Sequence, residues 1–260
     1  MLQFSAHLGR RFSGLPFEAR FAAAKAAGFG AVEYPSPYAV GIDYFDECAR
    51  KQGLAVAQIT APAGDAGKGD KGFACFSFRV DDFRASIRKG LAAANLLDCP
   101  SLLVRAGILR EDDTRGDLRS DYIDNMRWAA EQCALAEVKL LIEPASEKVV
   151  PGYFLNDMAL AISVLNELNS DAVGLLFNVY QAHLMGTDPV KFVKDHYDLI
   201  RHFHVADHPG RNQPGTGSID FKSIFSVLES RSFAGWIGCD YSARPEADDT
   251  LEWYRSILQT

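Results

Sequence analysis

Apolar residues along this chain fall into two recurring patterns, short β-type runs and, between them, longer segments with helical spacing. The runs lie at 2–6, 31–34, 54–59, 101–105, 138–142, 173–177, 201–206 and 235–239, and the helical segments at 16–27, 43–52, 81–94, 119–136, 156–168, 188–197, 221–230 and 248–258. Strands that alternate with helices predict parallel strands joined by crossovers rather than hairpins. Eight such units in 260 residues predict an α/β protein, a single (β/α)8 TIM barrel spanning 1–260, since that fold typically takes about 250 residues. Local signals agree: FEARFAAAKAAG is rich in alanine and stops at Gly28, as a helix C-terminus should. The longest irregular stretch, 60–78, falls between a strand and a helix, where a barrel carries its active-site loops.

Composition narrows the range of functions. With 48% hydrophobic and 23% charged residues the chain can bury a large core as one soluble domain. A net charge of -7 and the lack of any Lys/Arg run argue against nucleic acid as a partner. No apolar segment is long enough to cross a bilayer, and MLQFSAHLGRRF lacks the pattern of a signal peptide, so no membrane partner is expected. The five cysteines are odd in number, singly placed and without a C-x-x-C pair, which fits a reducing cytoplasm. Neither a nucleotide cradle nor a G-x-S-x-G elbow occurs. Association into a homo-oligomer stays open.

The most informative stretch is IRHFHVADHPGRNQPGTG, where a strand carrying His204 opens into a polar loop with Asp207, His208, Arg211 and a Pro-Gly-Thr-Gly turn. Three other runs end in the same way: VKLLIEP delivers Glu143, VGLLFNVY delivers Asn178 and GWIGCDY delivers Asp240. Oxygen and nitrogen donors from four strand ends predict a metal site at the barrel mouth, held by Glu143, Asn178, His204 and Asp240. Two carboxylates balance one divalent ion, and the mixed oxygen and imidazole set suits Mn, Co, Ni or Zn at least as well as Mg. Arg211 is a candidate for binding a substrate carboxylate through its fork of donors. His183, with Gln181, lies on the loop after the sixth strand and could reach the same pocket.

The segments FEARFAAAKAAGFGAVEYPSPY, TAPAGDAGKGDKGFA, LIEPASEKVVPGYFL, HVADHPGRNQPGTGSIDF and GWIGCDYSARPEADDTLEW together make nearly the whole chain similar to the hydroxypyruvate isomerase family, within the xylose isomerase-like and AP endonuclease 2-like TIM barrels. The resemblance implies a single bound metal, a small hydroxy or oxo acid as substrate, and proton transfer between adjacent carbons through an enediolate. It implies Glu143 and Asp240 as the acid/base pair, Arg211 beside the substrate, and Glu143, Asn178, His204 and Asp240 around the ion. The chain departs from the family's pattern by carrying Asn178 where aspartate is usual, Asp240 where glutamate is usual, and His204 where the nearest members have glutamine. Alternative expectations are a ketose epimerase or inosose dehydratase on the same barrel, or a barrel that binds a small acid without turnover.

Overall fold

The computed structural model describes residues 2–242 and 250–259. Eight parallel strands close into a barrel in sequence order: β1 Gln3–His7, β2 Ala31–Tyr34, β3 Ala55–Thr60, β4 Ser101–Leu103, β5 Lys139–Ile142, β6 Val173–Asn178, β7 Ile200–Val205 and β8 Trp236–Cys239. The helices outside it are α1 Phe17–Ala26, α2 Ile42–Lys51, α3 Val80–Leu96, α4 Arg115–Leu135, α5 Met158–Leu168, α6 Val179–Leu184, α7 Pro189–His196, α8 Phe221–Ser230 and α9 Glu252–Gln259. The barrel expected from the alternating pattern is therefore the one found. No described helix is long and apolar enough to cross a membrane.

Alternation along each strand sorts side chains between two environments. On β7, Phe203 faces the helices and packs edge-on against Phe177 and Phe233, while His202 and His204 face inward. One side of the interior is apolar, a small cluster of Leu103, Leu141 and Leu176 from β4, β5 and β6. The other side is polar, with Glu33 of β2 reaching across to β7. The register places Asn178 beside His204 and His204 beside Gly238, so the functional side chains of β6 and β7 share one level near the mouth. A register shift at Leu175/Leu176 precedes that level on β6.

Local rules explain where element boundaries differ from the expected ones. The fourth helix begins at Arg115, a turn before the expected 119, because Thr114 caps it: its Oγ1 accepts from Asp117 N at 3.2 Å and donates to Asp117 Oδ2 at 2.7 Å. Helix α6, expected as loop, follows β6 directly, and Asn178 is both the last strand residue and the helix cap. The expected start of the last helix at 248 lies outside the described residues.

Candidate active site at the C-terminal mouth of the barrel

Glu143 directly follows β5, Asn178 ends β6, His204 lies one residue from the end of β7, and Asp240 directly follows β8. All four are buried and they converge. Asn178 Nδ2 donates to Glu143 Oε1 at 2.9 Å and to Asp240 Oδ2 at 3.4 Å. His204 Nδ1 faces the same two oxygens, at 3.8 Å from Glu143 Oε1 and 3.7 Å from Asp240 Oδ2. The other ring nitrogen of His204 donates to Glu33 Oε2 at 3.3 Å, and His202 Nε2 donates to the same oxygen at 2.9 Å. A Cβ on Gly238 would lie 2.0 Å from Glu33 Oε1 and 2.6 Å from His204 Cδ2, so only glycine leaves room for this pair.

A ring of cations surrounds the carboxylates. Arg10 Nε donates to Asp240 Oδ1 at 2.7 Å, and Arg211 donates to Asp240 through Nη2 to Oδ2 and through Nε to the backbone oxygen. Arg105 Nη1 lies 3.2 Å from Glu143 Oε2. Arg211 belongs to a loop built around Asp207, whose carboxylate accepts from the backbone N–H groups of His208, Gly215, Gly217 and Ile219. A φ of 55° at Arg211 turns the chain there, and its guanidinium lies over the Tyr180 ring, 5.4 Å from the centroid. Gln181 lines the cavity and accepts from Ser146 N at 2.9 Å. His183 lies instead against His208, with ring centroids 4.8 Å apart and the rings tilted by 41°, and is not among the residues lining the cavity.

Burial pushes the Asp240 carboxyl up, but His7, Arg211, His204 and Arg10 overcome that and hold it well below the usual carboxylate range. Burial pulls the His204 imidazole down, yet Glu33, by charge and hydrogen bond, followed by Asp240 and Glu143, raises it to about 9. Burial likewise opposes ionisation of Glu33, and the two histidines more than offset it. His202 moves down, with burial as the largest cause, so the ion pair in the barrel interior is Glu33 with His204.

Whether these residues suit a metal can be judged from the donors themselves. His204 Nδ1 is buried and has no hydrogen-bond partner among the described residues, while Nε2–H is held by a carboxylate, the arrangement that orients metal-bound imidazoles. Glu143 Oε1, His204 Nδ1 and Asp240 Oδ2 thus fit as a donor set once the His204 imidazolium gives up its Nδ1 proton, as a metal ligand must. Asn178 fits differently: its Oδ1 accepts from Gln181 N at 3.1 Å to cap α6, and its N–H groups, not its oxygen, face the carboxylates. Glu33, His202 and His204 also lie close together, but direct hydrogen bonds already close that group.

Sequence reasoning missed Glu33, His7, Arg10 and Arg105. Two signals were present, an acid inside the apolar run AVEY and an arginine at the end of SLLVR.

Eight parallel strands with acids and an imidazole gathered at their C-terminal ends define an α/β-barrel whose chemistry resides at the mouth. The chain belongs to the xylose isomerase-like TIM-barrel family, whose model matches residues 21–257. It is 31% identical to a 2-oxo-tetronate isomerase of Pectobacterium atrosepticum over 100% of this chain and 99% of that protein. It is 28% identical to the hydroxypyruvate isomerase of Escherichia coli, covering 97% and 98% of the two chains. A solved structure described as an AP endonuclease, family 2, from Brucella melitensis superposes with a TM-score of 0.93 at 31% identity, covering 98% of this chain and 99% of that one. The family resemblance expected from the motifs is thus borne out.

Proposed function

We propose that this chain is an isomerase of a small hydroxy or oxo acid, of the hydroxypyruvate or 2-oxo-tetronate kind for which its full-length relatives are named. The observation that carries this reading is the meeting of Glu143, Asp240 and His204 in one cavity of about 470 Å³ that three arginines also line. Guanidinium groups recognise an acid's carboxylate, and a pair of carboxylates can take a proton from one carbon and return one to its neighbour. No redox partner is consumed in such an exchange.

In this reading Glu143 removes the carbon-bound proton and Asp240 serves the adjacent carbon, with an enediolate between the two steps. Arg211 anchors the substrate carboxylate. Its Nη2 rests on Asp240 Oδ2, so an arriving acid draws it away and removes one of the cations that keep the Asp240 carboxyl ionised. That moves Asp240 toward the range where general acid/base catalysis is efficient. His204, fixed by Glu33, places its free nitrogen against both carboxylates, and His183 supports the Arg211 loop from behind through His208. Glu143, His204 and Asp240 are the residues that would hold a divalent ion, with Asn178 beside them, and a bound ion supplies Lewis-acid polarisation of the substrate carbonyl.

With Mg or Mn added, the purified protein is expected to interconvert hydroxypyruvate and tartronate semialdehyde, and Glu143→Gln is expected to lower kcat by about 10²-fold or more. Full activity in Glu143→Gln would overturn the assignment, as would failure of the wild type to isomerise either hydroxypyruvate or 2-oxo-tetronate with any divalent ion.

A further inference from the structure

The cavity has a second cationic wall that a single carboxylate does not use. Arg105 follows β4, which lies across the closed barrel from β8, and its Nη1 lies 3.2 Å from Glu143 Oε2, whereas Arg10 and Arg211 both grip Asp240 just after β8. Lys71 comes from the loop whose next residue, Gly72, meets the end of β4. Gly72 forms a bridge with Ala106, and a Cβ on Gly72, where φ is +105°, would fall 2.0 Å from the Arg105 carbonyl oxygen. Glycine at 72 therefore lets the 60–72 loop sit directly on the end of β4, and Lys71 and Arg105 line the same cavity.

The loop that carries Lys71 is braced by its own side chains. Asp70 accepts from Asp65 N at 2.9 Å and from Arg79 Nη1 at 2.7 Å; Asp65 accepts from Gly67 N at 2.9 Å; and Gly72 N donates to the Ala63 oxygen at 2.9 Å. Gly64 is required within it, since a Cβ there would lie 2.3 Å from Asp70 Oδ2. Arg79 neutralises Asp70, and Lys71 has no ion-pair partner among the described residues.

Charge balance points the same way. The described residues lining the cavity include Arg10, Lys71, Arg105 and Arg211 against Glu143 and Asp240, once Asp70 is set aside as paired with Arg79 and His204 as paired with Glu33. Four positive charges less two negative leave two, in a chain whose net charge is -7. One carboxylate neutralises only half of that excess. We propose that Lys71 and Arg105 form a seat for a second acidic group, so that the site prefers as substrate, over the single-carboxylate hydroxypyruvate and 2-oxo-tetronate, a small oxo acid bearing two anionic groups, the second a carboxylate or a phosphate. The inference deepens the isomerase reading and rests on it for the word substrate; the seat itself can be tested without turnover.

Titration calorimetry on the full chain in metal-free buffer would compare glycerate, malate and 3-phosphoglycerate, which carry respectively no second acid, a carboxylate and a phosphate. The wild type is expected to bind at least one of the two-acid ligands about tenfold more tightly than glycerate. Lys71→Ala is expected to weaken that ligand about fivefold and glycerate less than twofold, as befits an exposed charge. The tighter of the two identifies the second group. Equal binding of all three ligands by the wild type, or an equal shift of all three in Lys71→Ala, would overturn the seat. Loss of isomerase activity on every acid while the two-acid preference persists would instead sink the reaction and leave the seat standing.

Discussion

At the scale of single residues, the position that most constrains the site is one without a side chain. Gly238 faces Glu33 Oε1 and His204 Cδ2 at distances that no Cβ tolerates, and Glu33 in turn fixes which nitrogen of His204 points at Glu143 and Asp240. Gly238→Ala must therefore displace Glu33, His204 or the strand between them. Overpacking of this kind costs about 1–3 kcal/mol, which for a chain of this size lowers Tm by roughly 2–4 °C per kcal/mol. Because the strain falls on the imidazole that faces both carboxylates, activity is expected to drop by about tenfold or more even where the protein remains folded. Melting curves and kcat measured on the same preparation check this; a variant that loses stability but keeps wild-type kcat would show that the orientation of His204 is not used in turnover.

At the scale of elements, Asn178 joins a strand to a helix and the helix to the site. Its Oδ1 is committed to Gln181 N at the start of α6, so only its N–H groups remain for the carboxylates. Aspartate there would cap α6 with one oxygen and offer the other to an ion. Asn178→Asp is expected to tighten divalent-metal binding by about tenfold, as an added ligand charge does, while destabilising the metal-free protein by about 1–3 kcal/mol through repulsion with Glu143 and Asp240. Metal titration, and thermal melts with and without a chelator, check both parts; unchanged metal affinity would remove Asn178 from the ion's surroundings. The same residue shows what a linear pattern reveals. The strand runs and their terminal Glu143, His204 and Asp240 were legible because period and strand ends are local properties. Helix α6 was not, because asparagine at a strand end signals a turn as readily as a cap. Glu33, Arg10 and Arg105 were illegible as partners because strand order names neighbouring strands but not which inward side chains meet: Glu33 of β2 reaches β7, and Arg10 reaches Asp240 across 230 positions of sequence.

For the whole molecule, closure of the sheet leaves no free edge and ties stability to a core spread around the entire ring. Four of the five thiols report on that core from separate places: Cys75 in the loop before α3, Cys99 before β4, Cys133 in α4 and Cys239 in β8, all buried and free. Burial pushes Cys75, Cys99 and Cys133 up to about 12 and Cys239 higher still, against about 8.5 for an unfolded cysteine. A group whose pKa is higher folded than unfolded contributes stability that is complete below the unfolded value and is lost as pH rises toward the folded one. These thiols therefore leave stability unaffected between about pH 6 and 8 and erode it from about pH 8.5 upward, because only the unfolded chain can release their protons. At pH 8 the native protein is expected to react with a disulfide reagent slowly and at no more than the half-buried Cys48, and with all five thiols in denaturant. Since the four buried sites belong to one cooperative core, their reaction should follow a single rate that rises with pH together with the fall in Tm. Thiols appearing one at a time at pH 8, without loss of secondary structure, would show that the barrel opens in parts rather than as a unit.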